Sequence, residues 1–386
     1  MNGYSERLSS RFSNEGASRA DFPRKLMIVT SGLAAGGAEN VIATLSDHWA
    51  GRGIQVGLTV FDRVTPYYRL NPAVEVAHLD AETFARRTDL LRTAMRLRAL
   101  RRRLREVRPD LVVSFLGKAN VLAFLASRGL GAPVILSERN NPRMDGYNAA
   151  WRRARLACYQ RADLLVLPTS AVREALPGVS EARIRVIPNP LSPLALERGA
   201  RPRAPAAETT LVATGRLVRQ KGFDLLLEAF ARVAPERPDW RLEIFGEGPL
   251  RGELEALRDR LGLRGRAAFP GVSAEPLGWL SAGSAFVLSS RYEGFGNVLA
   301  EAMSAGMGVV STDCGYGPGE IVTHERDGLL CPPEDVAALA EALRRVTGDA
   351  ALRRRLACAA RRTARERYAV PRIMAAWDEA IRQAAR

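Results

Sequence analysis

The chain has no apolar run approaching the roughly 18 consecutive residues of a membrane-spanning helix, so any contact with a bilayer has to be peripheral. It is short of cysteine as well. Cys158, Cys314, Cys331 and Cys358 stand far apart without a C-x-x-C pair, which argues against a disulfide framework or a zinc site and fits a reducing, cytoplasmic compartment. Histidine is limited to His48, His78 and His324, and no Asp-x-Asp pair occurs, so no metal is expected. Residues 1–20 lack the apolar centre of a secretory signal, and residues 1–22 read as a disordered polar tail. Acidic residues are the last shortage. Against 57 Lys and Arg there are 42 Asp and Glu, and the net charge of +15, carried by Arg rather than Lys, favours anionic partners: nucleic acid, phosphorylated small molecules or an acidic lipid surface.

What is present points to an α/β protein. With 386 residues, 47% hydrophobic and 26% charged, the chain is long enough for two globular domains. Short apolar runs alternate with helical patterns in two series, the signature of βαβ units. The first runs from Lys25–Thr30 through 56–61, 111–115, 134–137, 164–167 and 185–187, ending at Pro188-Asn189-Pro190. The second runs from 211–215 through 241–246, 267–270, 285–288 and 309–311. The predicted organisation is therefore two Rossmann-like domains, 23–190 and 208–366, joined by a Pro-rich linker over 191–207. Residues 367–386 form a last amphipathic helix that packs back on the first domain.

Three strand–loop–helix junctions carry chemistry. In Glu293-Gly294-Phe295-Gly296-Asn297-Val298-Leu299-Ala300-Glu301, glycines expose the N–H groups of a helix beginning near Asn297, a seat for a diphosphate. Glu301, on the first turns of that helix, can accept hydrogen bonds from ribose hydroxyls, although two Glu at this spacing also occur on ordinary helix faces. In Gly215-Arg216-Leu217-Val218-Arg219-Gln220-Lys221-Gly222, Arg216 and Lys221 either converge on one phosphate or remain two solvated loop cations. Gly36-Gly37, after the first strand, permits either a phosphate approach or a plain tight turn. Its spacing is not Gly-x-Gly-x-x-Gly, and only Asp62 stands near the ribose position of a dinucleotide site, so such a site is disfavoured.

These blocks, in this order from about Lys25 to Arg386, resemble glycosyltransferase family 4, retaining enzymes of two facing Rossmann-like domains. The resemblance implies a nucleotide-diphosphate sugar as donor, with UDP favoured, and a glycan acceptor. It implies that Glu301 binds the ribose, Glu293 contacts the transferred sugar, and Arg216 and Lys221 neutralise the leaving diphosphate. Gly36, Gly37, Gly215, Phe295, Gly296, Asn297, Val298 and Val272 then border the donor, Val272 through Phe269-Pro270-Gly271-Val272 beside the base; Phe245-Gly246-Glu247-Gly248-Pro249 is a further match. One departure stands out. Many members carry a His near the sugar in the first domain, where this chain reads Ser137-Glu138-Arg139-Asn140-Asn141-Pro142. With Ser114-Phe115-Leu116 and Asn120, that signature is similar to a subgroup associated with exopolysaccharide and lipid-linked oligosaccharide assembly. Glu138, Arg139 and Asn140 then line the acceptor side, or form a strand-end salt-bridge cluster.

By the same resemblance the reaction is a front-face displacement in which the leaving phosphate helps deprotonate the acceptor hydroxyl. Alternatives are a nucleotide-sugar 2-epimerase of the same architecture, a catalytically dead sugar-nucleotide sensor, and a basic nucleic-acid-binding protein. The last is disfavoured, because the Arg residues fall on helices without an aromatic-interleaved platform. Residues Thr88 to Val107 set Leu90, Met95, Leu97, Leu100, Leu104 and Val107 largely on one helical side, with Arg92, Arg96, Arg98, Arg101, Arg102, Arg103 and Arg105 around the rest. This predicts an interfacial helix that brings the first domain to an anionic membrane, or one that docks its Leu stripe on the sheet.

Overall fold

The computed structural model describes residues 22–34, 36–63, 65–79, 89–144, 146–199 and 205–386. The tail reading, apart from Phe22, lies outside the described residues, as do residues 200–204 of the linker and Thr88.

The first sheet is β1 (Lys25–Thr30), β2 (Gln55–Val60), β3 (Glu75–His78), β4 (Leu111–Phe115), β5 (Val134–Ser137), β6 (Leu164–Leu167) and β7 (Ile184–Val186). Its order is β3-β2-β1-β4-β5-β6-β7, every pair parallel. The second is β8 (Thr210–Thr214), β9 (Arg241–Phe245), β10 (Ala267–Gly271), β11 (Ala285–Leu288), β12 (Gly308–Thr312) and β13 (Leu329–Cys331), parallel in the order β10-β9-β8-β11-β12-β13. Both sheets are doubly wound, as the alternation of patterns implies. Strands β4, β5, β6, β11 and β12 are buried along their whole length, which is why they are near-continuous apolar runs. The sequence reading omits β3 and β13: β3 is an edge strand exposed at Glu75 and His78, and β13 has three residues, so neither carries an apolar run.

The helices are α1 (Gly37–Gly51), α2 (Asp89–Val107), α3 (Gly117–Ser127), α4 (Ala149–Tyr159), α5 (Pro193–Arg198), α6 (Phe223–Val233), α7 (Arg251–Arg260), α8 (Asn297–Ser304), α9 (Pro318–Ile321), α10 (Val336–Gly348), α11 (Ala350–Arg367) and α12 (Val370–Ala384). Each sheet reverses its winding at its centre, between β1 and β4 and between β8 and β11. The loops after those strands therefore open into a crevice at the carboxyl ends. Gly36-Gly37 follows β1, the Gly215–Gly222 loop follows β8, Glu293 follows β11 and Glu138 follows β5, so the topology alone gathers all four at one end of the sheets.

Two segments tie the halves together. Within the stretch read as a linker, Pro193 starts α5, and Ala195 is buried in the second domain's core with Leu191. Helix α12 returns to the first domain, where Ile373, Met374, Trp377, Ala380 and Ile381 join the core around Trp49 and Phe115. Asp378 locks that docking by accepting hydrogen bonds from Trp49 Nε1 at 3.0 Å, from His48 Nε2 at 3.3 Å and from Arg52. Burial alone would raise its pKa, but these partners outweigh burial and hold the carboxyl below its ordinary range.

Candidate active site in the interdomain cleft

Two glycines let the domains approach closely across the cleft. A Cβ on Gly37 would overlap the Asn297 side-chain amide, and one on Gly294 would overlap the backbone of Arg139 and Asn140. The first turn of α1 therefore abuts the first turn of α8 across the cleft, with the N–H-rich ends of both helices on the same gap. Gly296, at φ 99°, starts α8 from the left-handed region, which a side chain would strain. Asn297 is held from the opposite domain, its Oδ1 accepting from Asn189 Nδ2 at 2.7 Å.

On the second-domain wall, Lys221 Nζ donates to Glu293 Oε1 at 2.6 Å, and Ser290 Oγ donates to the same oxygen at 2.7 Å. The Lys221 stem runs along Gly215, within 3.1 Å of where a Cβ would stand. Lys221 and Glu293 are thus brought together as an ion pair. Arg216 is not part of it: its side chain is exposed and makes no ion pair among the described residues. Val298 is half-buried on α8, and Val272, 67% exposed, follows edge strand β10 away from this cluster. The Phe295 side chain turns away from the cleft. Its ring is buried against Tyr368, edge to face at 5.5 Å, which leaves only its backbone to the cleft.

Glu301 is the most perturbed carboxyl of the site. It is 9% exposed, accepts no side-chain hydrogen bond among the described residues, and burial pushes its pKa up to about 7. Tyr68, from the other domain, lies close enough that burial first, and then Glu301, Tyr67 and Glu39, raise its own pKa. Among the described residues this is a buried carboxylate with its acceptor capacity unused, which hydroxyl donors would satisfy.

Glu138 and Arg139 both turn inward. Glu138 is 1% exposed, accepting from Tyr159 Oη at 2.8 Å and from the backbone N–H groups of Arg139 and Asn140, with Arg155 3.8 Å away. Arg139 is 5% exposed and donates to Ser137 Oγ, the Ile187 carbonyl and Asn189 Oδ1 beneath the Trp377 ring. Burial lowers its pKa to about 9, opposed by Glu138. The two form the strand-end cluster that stiffens the wall; of the three, only Asn140 is exposed. The pattern Ser-Glu-Arg-Asn does not reveal this, because in sequence a strand-end charge looks the same whether it points outward or under the loop.

Sequence reasoning missed three features. Asn189 links Arg139 to Asn297 across the cleft. Tyr68 faces Glu301. Glu320, at the start of α9, accepts from Ser170 N, Ser170 Oγ and Ala171 N at 2.8–2.9 Å, while Thr169 Oγ1 donates to the Tyr316 carbonyl at 2.6 Å, latching the domains. The glycines 315, 317 and 319 just after β12 were the available signal.

Two family models match the chain: "Glycosyltransferase Family 4" over residues 35–193 and "Glycosyl transferases group 1" over residues 208–349. Together they cover most of it. The lipopolysaccharide core biosynthesis glycosyltransferase LpsD of Rhizobium meliloti is 39% identical over 45% of this chain and 49% of its own. In curated relatives at 33–39% identity, the match spans only 23–64% of the relative's length. An N-acetylgalactosaminyltransferase of Campylobacter jejuni, named for a glycan on PP-undecaprenol, is 26% identical over 92% of this chain and 98% of its own. In fold, the chain is similar to Anabaena HepE, solved in complex with UDP and glucose, with TM-score 0.76, 21% identity and coverage of 92% and 98%.

Glu301 yields a pH signature. A carboxyl with pKa about 7 folded and 4.5 unfolded binds more protons in the native state between those values, so stability falls as pH rises from about 4.5 through 7. Glu301→Gln is expected to remove a penalty of up to about 3 kcal/mol at pH 8. Unfolding titrations at pH 5 and about pH 8 measure it; the same difference in both proteins would place the titration elsewhere.

Proposed function

The chain belongs to glycosyltransferase family 4, and from that premise we propose that it is a retaining hexosyltransferase of bacterial polysaccharide or oligosaccharide assembly. It takes the sugar from a UDP-sugar and passes it to a glycan acceptor linked to a lipid. The carrying observation is the Lys221–Glu293 pair set beside the two opposed helix ends, with Glu301 buried beyond them. UDP as the nucleotide is supported by the Anabaena neighbour, and a lipid-linked acceptor by the Campylobacter relative.

In this reading the diphosphate lies between the N-termini of α1 and α8, Glu301 accepts from the ribose hydroxyls, and Glu293 contacts the transferred sugar. The bond from the anomeric carbon to the diphosphate oxygen breaks while the acceptor oxygen attacks on the same face. The acceptor proton passes to the departing phosphate, and UDP leaves. Arg216, unpaired among the described residues, and Lys221 neutralise the charge that develops, the task of a divalent ion in other transferases. No metal is required.

Lys221→Ala is expected to lower kcat about 10²–10³-fold, whereas Glu301→Ala chiefly raises the donor KM. Steady-state kinetics with a matched donor and acceptor separate the two, and wild-type turnover by the Lys221 variant would overturn the assignment. Turnover should persist in excess EDTA; a loss restored by Mg²⁺ or Mn²⁺ would contradict the cationic mechanism.

The lipid-linked acceptor is met at the membrane by the first domain. No helix among the described residues is long and apolar enough to cross a membrane. In α2, Leu100 and Leu104 are buried in the first domain, while Leu90 and Leu91 are 80% and 51% exposed. Arg96, Arg101 and Arg103 are held by Asp62, by carbonyls of residues 126 and 128, and by Glu75; Arg98, Arg102 and Arg105 point outward, Arg102 paired there with the exposed Glu106. Binding to vesicles should rise with anionic lipid and weaken with salt. Equal sedimentation with neutral and anionic vesicles, or no change when Arg98, Arg102 and Arg105 become Gln, would refute the attachment.

A further inference from the structure

The acceptor half of the cleft holds a cluster that the donor chemistry leaves unused. The segment after β5 touches Gly294 at Asn140 and ends at Asn148, whose Oδ1 accepts from Trp151 N at 3.0 Å and so fixes the start of α4. Tyr147 packs on Gly117, where a Cβ would collide with its ring, and its hydroxyl accepts from Lys118 N–H at 3.2 Å. The Tyr147 and Trp151 rings stand 6.5 Å apart, and Lys118 Nζ lies 5.2 Å from the Trp151 centroid and 6.0 Å from that of Tyr147.

Lys118 has no carboxylate partner among the described residues, and neither do the exposed Arg152 and Arg153 of the same helix start. The exposed Arg143 uses one nitrogen on the Glu174 carbonyl. Glu138 turns inward to Tyr159 and the backbone. An ammonium held over aromatic rings keeps its charge available to an anion, and the rings beside it offer apolar surface to the group that the anion carries. Tyr147 Oη takes the Lys118 N–H in the first turn of α3, so Lys118 leaves the helix at its N-terminal end, where the helix dipole favours an anion.

Resting on the glycosyltransferase reading above, we infer that Lys118, Tyr147 and Trp151 form a binding site for the diphosphate of the acceptor. The ammonium meets the phosphate oxygens, and the rings pack on the sugar or prenyl group esterified to them. The segment that carries Tyr147 starts at Asn140 beside Gly294, next in sequence to Glu293, so an acceptor anchored at the cluster presents its glycan toward the transferred sugar. A diphosphate ester carried on lipid and a free phosphate anion share this chemistry.

Calorimetric titration of the full chain saturated with UDP tests the inference, with farnesyl diphosphate, inorganic pyrophosphate and farnesol as probes. Farnesyl diphosphate should bind, and farnesol at least about tenfold more weakly, since a charge-assisted contact is worth that factor or more. Lys118→Met should weaken farnesyl diphosphate about tenfold while leaving UDP affinity within about twofold, and Lys118→Arg should restore it. Pyrophosphate binding as tightly as farnesyl diphosphate would support the phosphate contact and overturn the lipid-carried source. Unchanged farnesyl diphosphate affinity in Lys118→Met, or competition between farnesyl diphosphate and UDP, would overturn the site. Should Lys118→Met lose UDP binding through misfolding, Trp151→Ala, at a half-buried helix start, decides by the same comparison. Failure of UDP to bind the wild-type chain would count against the donor reading alone, because the farnesyl titration is then read without it.

Discussion

The two domains meet where neither has room for a side chain. Gly37 sets its backbone against the Asn297 side-chain amide, and Gly294 sets its backbone against that of Arg139 and Asn140. A methyl group on Gly294 would have to displace the Arg139–Asn140 backbone, whereas one on Gly37 would displace the Asn297 amide and its hydrogen bond to Asn189. At this separation the starts of α1 and α8 share one gap, Asn189 reaches Asn297, and Tyr68 reaches the surroundings of Glu301. Behind the first-domain wall, Arg139 is clamped between Trp377 and the ends of β5 and β7, so helix α12 braces the surface that Gly294 touches.

The charged groups of the second-domain wall are of two kinds. Lys221 is paired with Glu293, which Ser290 also holds, so its charge is positioned within the fold itself. Glu301 is the opposite case, buried with no side-chain donor among the described residues and pushed toward neutrality. A ligand presenting hydroxyl groups there would relieve a cost the native state carries, which couples nucleotide affinity to the protonation of one side chain. Burial without compensation is tolerated at functional sites because binding supplies the missing partner.

Much of this was legible in the sequence, for a physical reason. Parallel strands buried on both faces have to be apolar throughout, so β1, β4, β5, β6, β11 and β12 announce themselves, whereas edge strand β3 and the three-residue β13 do not. Glycines flanked by a strand and a helix marked the Gly36-Gly37, Gly215 and Glu293 loops, because close approach leaves no other choice of residue. What stayed hidden are contacts between residues far apart in the chain: Asn189 with Asn297 at a separation of 108, and Ser170 with Glu320 at 150. Side-chain direction at a strand end was hidden too. Arg139 and Phe295 occupy loops that border the cleft, yet both turn inward, and only the packing of Trp377 and Tyr368 explains why.

The central claim is that the opposed helix ends, Lys221 and Glu301 together hold a nucleoside diphosphate. Thermal unfolding of the wild-type chain with saturating UDP, GDP or ADP tests it without knowledge of sugar or acceptor. At 100 times its dissociation constant a native-state ligand stabilises by about 2.7 kcal/mol, enough to raise Tm by several degrees. The account predicts that UDP produces this shift and that Glu301→Ala abolishes most of it. A chain whose Tm is unmoved by all three nucleotides, or whose shift survives in the Glu301 variant, would contradict it.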